Sequence, residues 1–136
     1  MKNSVLAVGL FALLLSACSD AQTKAVLAPP VAMNIVPINV DIVNGQIDVP
    51  DEQSTYPMHK KVAWTIINPD LTYTFPNKGI VFQDPGLFNC RLQEHDTTNR
   101  TFECDKIEHR KGKHKYEINV KHGANLLHKD PYIHNR

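Results

Sequence analysis

The chain has 136 residues, of which 42% are hydrophobic and 21% are charged, and its formal net charge is +1. The first 17 residues contain 12 of the 57 hydrophobic residues and a single charge, Lys2. The remaining 119 residues therefore balance 14 Lys and Arg against 14 Asp and Glu. This neutral balance removes any whole-chain argument for nucleic acid or an anionic membrane as a partner, and no nucleic acid is expected. The length allows one domain with one core.

The first residues have the pattern of a secretory signal peptide. Lys2 gives a positively charged start, residues 5–15 form an almost unbroken apolar run, and small residues follow as far as Cys18. A membrane-spanning helix needs about 20 apolar residues, so this run is too short to be one. The pattern predicts a signal peptide over residues 1–17.

The end of this segment, Leu15-Ser16-Ala17-Cys18, resembles the lipobox of bacterial lipoproteins at all four positions. The resemblance implies cleavage before Cys18, followed by acylation of its thiol and of its new amino group. Ser19 follows the cysteine where an aspartate would favour retention in the inner membrane. The resemblance therefore implies an outer-membrane lipid anchor with the protein facing the periplasm. The alternative is an ordinary secretory signal followed by an unmodified cysteine.

Residues 18–33 lack a sustained hydrophobic period and contain Pro29-Pro30. They are predicted to be the lipidated N-terminus and a flexible tether. From residue 34 onward the apolar residues recur with a period of two, which is typical of strands. The chain is therefore divided into a signal peptide (1–17), a tether (18–33) and one β-domain (34–136).

Two alternating runs surround Asn44-Gly45, which is a strong hairpin signal because both central residues of a type I′ turn need positive φ. About eight alternating or apolar runs occur in all. They are Ile38 to Ile42, Ile47 to Val49, Val62 to Ile66, Leu71 to Phe75, Ile80 to Phe82, Phe88 to Leu92, Phe102 to Cys104 and Tyr116 to Val120, with a short run near Tyr132. The pattern predicts an all-β fold, a single immunoglobulin-like antiparallel β-sandwich of about seven or eight short strands, with a barrel as the alternative.

With Cys18 assigned to lipid, Cys90 and Cys104 remain as a pair in an oxidising compartment. If they face each other across an antiparallel hairpin, three further compatible pairs fall opposite one another. These pairs are Leu92 with Phe102, Arg91 with Glu103, and Glu94 with Arg100. The register predicts one structural disulfide. A reactive or metal-binding thiol pair is the alternative, although the spacing is not the Cys-x-x-Cys of such sites.

Six of the seven histidines lie between His95 and His134, and residues 109–115 form the densest cluster of positive charge. Imidazole binds copper and zinc, so His109 and His114 are candidate metal ligands if the intervening turn brings them together. The cations of the cluster are instead candidate contacts for an anionic envelope polymer or an acidic protein. These cations are Arg110, Lys111, Lys113 and Lys115.

Histidine protonation would strengthen such an anionic contact as the pH falls through about 6.5. The third interpretation is a solvated hairpin tip with surface histidines. The pattern Tyr116-x-Ile118-x-Val120 and the ending Asp130-Pro131-x-Ile133-x-Asn135 are similar to the last strands of small uncharacterised proteobacterial β-sandwich proteins. This resemblance implies a fold and no activity.

The sequence contains no Gly-x-Ser-x-Gly, no His-Glu-x-x-His and no glycine-rich phosphate loop. We therefore expect a non-catalytic protein without a cofactor, a membrane-anchored periplasmic lipoprotein that serves as a binding or envelope-assembly component. Its partners would be the membrane, through the lipid, and an envelope protein or anionic polymer. The two alternative functions are a histidine-mediated copper- or zinc-binding module and an inhibitor of a cell-wall hydrolase.

Overall fold

A computed structural model of the protein describes residues 34–136, so Cys18 and the predicted signal peptide and tether lie outside the described residues. Residues 34–136 form 11 strands in two sheets and contain no helix, which confirms the all-β prediction. Within this range, accordingly, no helix is long and apolar enough to cross a membrane. The strands are β1 (Ile35–Val43), β2 (Gln46–Asp48), β3 (Glu52–Thr55), β4 (Lys61–Ile66), β5 (Tyr73–Thr74), β6 (Ile80–Phe82), β7 (Phe88–Leu92), β8 (Thr101–Lys106), β9 (Gly112–His122), β10 (Asn125–Lys129) and β11 (Tyr132–Asn135).

The first sheet has the order β2-β1-β4-β8-β7. The predicted hairpin joins β1 to β2, and Asn44 and Gly45 have φ values of 52° and 75° as a type I′ turn requires. The chain then crosses to the second sheet as β3 before it returns as β4. This crossing makes β4 parallel to β1, and β3 is likewise parallel to β11. The predicted antiparallel sandwich therefore contains two parallel strand pairs.

The second sheet is built around β9, the longest strand. One edge of β9 pairs with β10 and β11 in a single register, in which His122 faces Asn125 and Gly112 faces Asn135. These two strands are one strand interrupted at Pro131, which has no backbone N–H to donate. The other edge of β9 pairs with β5 and β6. Such interruptions, together with short edge strands, explain why 11 strands occur where about eight were predicted.

Aromatic side chains from both sheets form the centre of the core. Trp64 of the first sheet lies 5.4 Å from Tyr116 of the second, between ring centroids, and its Nε1 donates to the Tyr116 hydroxyl at 3.3 Å. Phe82 and Phe88 stack across the same interface at 4.1 Å. Burial raises the pKa of Tyr116 to about 12, although the hydrogen bond from Trp64 opposes this rise. The two sheets therefore pack as a sandwich over one apolar layer.

The predicted register of β7 and β8 is confirmed. Cys90 lies opposite Cys104 and is disulfide-bonded to it, and the expected partners of Arg91 and Leu92 also face them. The predicted pairing of Glu94 with Arg100 is wrong, because β7 ends at Leu92 and the arginine turns inward. The buried guanidinium of Arg100 donates to four backbone carbonyl oxygens instead, those of Ile66, Asn68, Asp70 and Tyr73.

Candidate functional site

The described chain begins at one end of the sandwich, which we call the proximal end. The backbone N–H groups of Lys60 and Lys61 donate to the carbonyl oxygen of Asn34 at 2.7 Å and 2.9 Å, and the N–H of Lys106 donates to Lys60 at 2.8 Å. The beginnings of β1 and β4 and the end of β8 therefore meet there. The opposite, distal end carries the hairpin turns at Asn44-Gly45 and Gly123-Ala124.

The basic segment predicted from the sequence also lies at the proximal end. The carbonyl oxygen of Arg110 accepts hydrogen bonds from Asn135 Nδ2 at 2.9 Å and from His114 Nε2 at 2.8 Å. The N–H of Ile107 donates to the carbonyl oxygen of Leu87 at 2.9 Å. These bonds hold the connection between β8 and β9 against both sheets, so the loop has a defined position beside Asn34 and Lys60.

Most of the predicted basic residues are neutralised within the domain. Arg110 bonds to Asp84 and Glu108, Lys113 lies 2.5 Å from Glu52, and Lys115 lies 3.0 Å from Asp130. Exposed Lys111 has no carboxylate partner among residues 34–136, and neither have two other lysines at the proximal end that the sequence did not indicate, while Lys78 and Lys121 are unpaired elsewhere in the domain. The two at the proximal end are Lys60 and Lys106. The unpaired positive charge of the proximal end therefore comes from the β3–β4 loop, from the end of β8 and from the β8–β9 loop.

Lys106 is unusual because its ammonium group is half-buried without a carboxylate. It donates to the carbonyl oxygen of Tyr56 at 3.0 Å, to Thr55 Oγ1 at 3.2 Å and to His109 Nδ1 at 3.4 Å. Burial and, secondarily, the neighbouring charge of Lys60 lower the pKa of Lys106. In the register of β4 and β8 the two lysines fall opposite each other, an arrangement that disfavours folding.

A buried polar network closes the core beneath these lysines. Thr55 and Asn135 are almost fully buried, and the Thr55 hydroxyl donates to Asn135 Oδ1. Lys106 reaches this pair from the first sheet, while Thr55 and Asn135 belong to the second. The network therefore connects the sheets. No local pattern in the sequence indicates it, since Thr55 and Asn135 are 80 residues apart.

The two candidate metal ligands, His109 and His114, have different hydrogen-bond partners. An ammonium group can only donate, so His109 Nδ1 accepts from Lys106, and its buried Nε2 has no hydrogen-bond partner among residues 34–136. His114 Nε2 bonds to a backbone carbonyl. No group of three His, Cys, Asp or Glu side chains in the described range has a geometry that could hold a metal ion. The metal-binding hypothesis thus has two histidines and no third ligand there.

Exposed apolar side chains lie at the same end of the sandwich as these lysines. Met58 is 66% exposed and Ile107 is 63% exposed, and Tyr56 and Ile35 are each more than 40% exposed. The loop that carries Met58 is held by a bond from His59 N–H to the Tyr56 carbonyl at 3.0 Å. We call the group formed by Ile35, Tyr56, Met58, Lys60, Ile107 and Lys111 the proximal patch. It combines apolar surface with uncompensated cations.

The outer face of the second sheet carries two similar triads. Glu52 lies between Lys113 and His134, and Asp130 lies between Lys115 and His128. The distance from His128 Nε2 to Asp130 Oδ1 is 2.6 Å. The lysine hydrogen bonds are the main reason that the pKa values of Glu52 and Asp130 are lowered. Each triad is neutral when its histidine is neutral and gains one positive charge when the histidine is protonated.

A cleft of about 440 Å³ lies between the β1–β2 hairpin and β10 at the distal half of the sandwich. Its ionisable side chains are His128 and Lys129, and each is already bound to a carboxylate, Asp130 and Asp51 respectively. To act as an acid or base on a ligand in this cleft, either side chain would first have to break its ion pair with the carboxylate. The proximal end therefore has the stronger claim to be a binding surface.

The chain matches no known family model, and it has no significant sequence similarity to a curated protein. A function must therefore be inferred from the chemistry of the domain. The features available are the unpaired lysines, the exposed apolar side chains and the position of Asn34 beside them.

Proposed function

We propose that the protein is a bacterial lipoprotein, anchored in the outer membrane through Cys18, with a periplasmic β-sandwich that is a non-catalytic binding component of the envelope. Its partner is an anionic envelope component that contacts the proximal end. The observation that carries this proposal is the group of cations without carboxylate partners, Lys60, Lys106 and Lys111, around the point where the chain enters the domain.

Electrostatics supports an anionic partner. Uncompensated charges attract an oppositely charged surface over about 8 Å at physiological ionic strength, whereas paired charges largely cancel at that distance. Three of the four cations predicted from the sequence are paired, so Lys111 is the predicted contact residue that retains its full effect. Lys60 and Lys106 add to it from the neighbouring loop and strand.

The geometry around Lys106 supports a non-catalytic role. Thr55 Oγ1 and Lys106 Nζ lie 3.2 Å apart, which resembles a nucleophile with its base. The Thr55 side chain is fully buried, however, and its hydroxyl donates to Asn135. A substrate has no access to such a hydroxyl, so the pair acts as part of the core.

The anchor is tested by Cys18→Ala in cells. We expect this variant to lack acyl chains by mass spectrometry and to leave the membrane fraction, because the acyl chains on Cys18 provide the attachment. Ser19→Ala is the matched control and should stay in the outer membrane, whereas Ser19→Asp should move to the inner membrane. Unchanged fractionation of Cys18→Ala would refute the lipoprotein assignment.

The binding surface is tested by photo-crosslinking in intact cells. A photoreactive amino acid at position 111 should capture an envelope component, whereas the same amino acid at exposed Lys121, near the distal hairpin, should not. Mass spectrometry and glycan or lipid staining would identify the captured partner. Equal capture from the two positions would contradict a specific role of the proximal end.

A further inference from the structure

We infer that the proximal patch docks on the anionic lipid headgroups of the membrane that holds the anchor. In this arrangement Met58 and Ile107 enter the headgroup layer, while Lys60 and Lys111 contact lipid phosphates. The inference rests on the proposed anchoring through Cys18, and it names the partner of the proximal end. The domain would then lie against the membrane surface instead of extending from it on its tether.

The position of Asn34 brings this end of the domain close to the anchor. Sixteen residues connect Cys18 to Asn34, which allows a span of about 55 Å at full extension and an average of about 20 Å for a flexible chain. Asn34 is hydrogen-bonded to Lys60 and Lys61, so the proximal patch is the surface nearest to the tether. Such a connection gives a high effective concentration, which adds to the affinity that the free domain has for the surface.

The chemistry of the patch fits a lipid interface. Binding to an interface increases with the apolar area that is inserted and with the attraction of basic residues to anionic lipids. Met58 and Ile107 are both more than 60% exposed and lie on separate loops, and Tyr56 has the amphipathic ring that is enriched at interfaces. The carboxylates nearest to the basic loop, Asp84 and Glu108, are bound to Arg110 and repel lipid phosphates less than free carboxylates would.

The distal end also carries exposed apolar side chains and unpaired lysines. Leu71 is 73% exposed and Leu126 is 61% exposed there, and exposed Lys121 has no carboxylate partner among residues 34–136. These features are therefore not enough by themselves to identify an interface. The proximal patch is distinguished by its position next to Asn34, where the described chain enters the domain.

The test uses the chain from Ser19 onward, which lacks the acylated cysteine and retains both sheets and the whole core described above. Its binding is measured by co-sedimentation with vesicles of phosphatidylethanolamine and phosphatidylglycerol, and with vesicles of phosphatidylcholine alone. We expect binding to the anionic vesicles at low salt. Binding should be lost on the neutral vesicles and at about 0.5 M salt, where the screening length is only about 4 Å.

Two double variants separate the two kinds of contact. Lys60→Glu with Lys111→Glu should lower the partition coefficient at least 20-fold, because each basic residue near an anionic surface contributes on the order of fivefold. Met58→Ser with Ile107→Ser should lower it about tenfold through lost apolar insertion. The distal controls Lys121→Glu and Leu71→Ser should each change it less than about twofold. Near-ultraviolet circular dichroism would verify that every variant is folded.

Absence of binding to the anionic vesicles, or equal losses in the proximal and distal variants, would overturn the docking inference. The proposed function fails by a different result, namely unchanged fractionation of Cys18→Ala in cells. If position 111 crosslinks to a protein or to peptidoglycan while the vesicles do not bind, the partner is a macromolecule and docking on lipid is wrong. Crosslinking of position 111 to lipid in cells would support docking independently.

Discussion

Replacement of Arg100 by Met should greatly destabilise the domain, although this residue takes no part in the proposed binding surface. Arg100 is 9% exposed, and its guanidinium donates to the carbonyl oxygens of Ile66 at 2.9 Å, Asp70 at 2.8 Å and Tyr73 at 3.0 Å, as well as to Asn68. One side chain thereby fixes the connection between β4 and β5. Methionine has a similar length and no donor.

The size of the effect follows from the four carbonyl groups. The oxygen of Ile66 is buried and would lose its partner, which costs about 1–3 kcal/mol. The other three oxygens lie nearer the surface and would regain water, with a loss of about 0.5–1 kcal/mol each. The sum is about 2.5–6 kcal/mol, a large part of the 5–15 kcal/mol that is typical of a domain.

Urea unfolding followed by fluorescence measures this loss, because Trp64 is the single tryptophan and is fully buried. Arg91→Met is the matched control. Arg91 is bound to Asp105 at the surface, and such pairs contribute less than about 1 kcal/mol. Arg100→Lys should fall between the two, since lysine keeps the charge but not the planar set of donors. A loss below about 1 kcal/mol for Arg100→Met would refute this reasoning.

Three further results are expected. Burial raises the pKa of Asp96, but the hydrogen bonds that Asp96 accepts from Thr98 and from the backbone outweigh burial and lower this pKa. The contribution of Asp96 to stability is therefore present above about pH 4 and is lost as the pH falls. Asp96→Asn should flatten this acid dependence of the free energy of unfolding, measured by urea titration. Reduction of the Cys90–Cys104 disulfide should lower the free energy of unfolding by about 3 kcal/mol, measured with and without a reductant. Lys60→Gln should raise the free energy of unfolding by a few tenths of a kcal/mol, because it removes the repulsion from Lys106. The same variant should weaken vesicle binding about fivefold. A lysine that is simply solvated would give neither change.

The local features of the fold could be predicted from the sequence because neighbouring residues encode them. The Asn44-Gly45 hairpin and the register of Cys90 with Cys104 both follow from alternation and from compatible cross-strand pairs. Extrapolation of that register to Arg100 failed for a physical reason. The carboxylate of Asp96 accepts bonds from the backbone of Thr98, Arg100 and Thr101, and it bends the chain before the strand could continue.

The long-range features could not be predicted in the same way. The parallel pairing of β1 with β4 depends on the departure of β3 to the other sheet, and nothing in the polar sequence of β3 indicates a strand. The proximal patch depends on the same crossing, which brings Met58 and Lys60 beside the loop that contains Lys111. The sequence therefore indicates the basic loop but not the apolar side chains or the second lysine next to it.

The pairing of Lys60 with Lys106 is a further argument that the proximal end is a binding surface. Elsewhere in the first sheet the cations are balanced, since Lys61 is bound to Glu103 and Arg91 to Asp105. At the next position of the same register two lysines face each other, and one of them is half-buried. Like charges placed in this way cost on the order of 0.2–1 kcal/mol in the free domain. An anion bound between them removes the repulsion, so the interaction that weakens the free domain also favours an anionic partner.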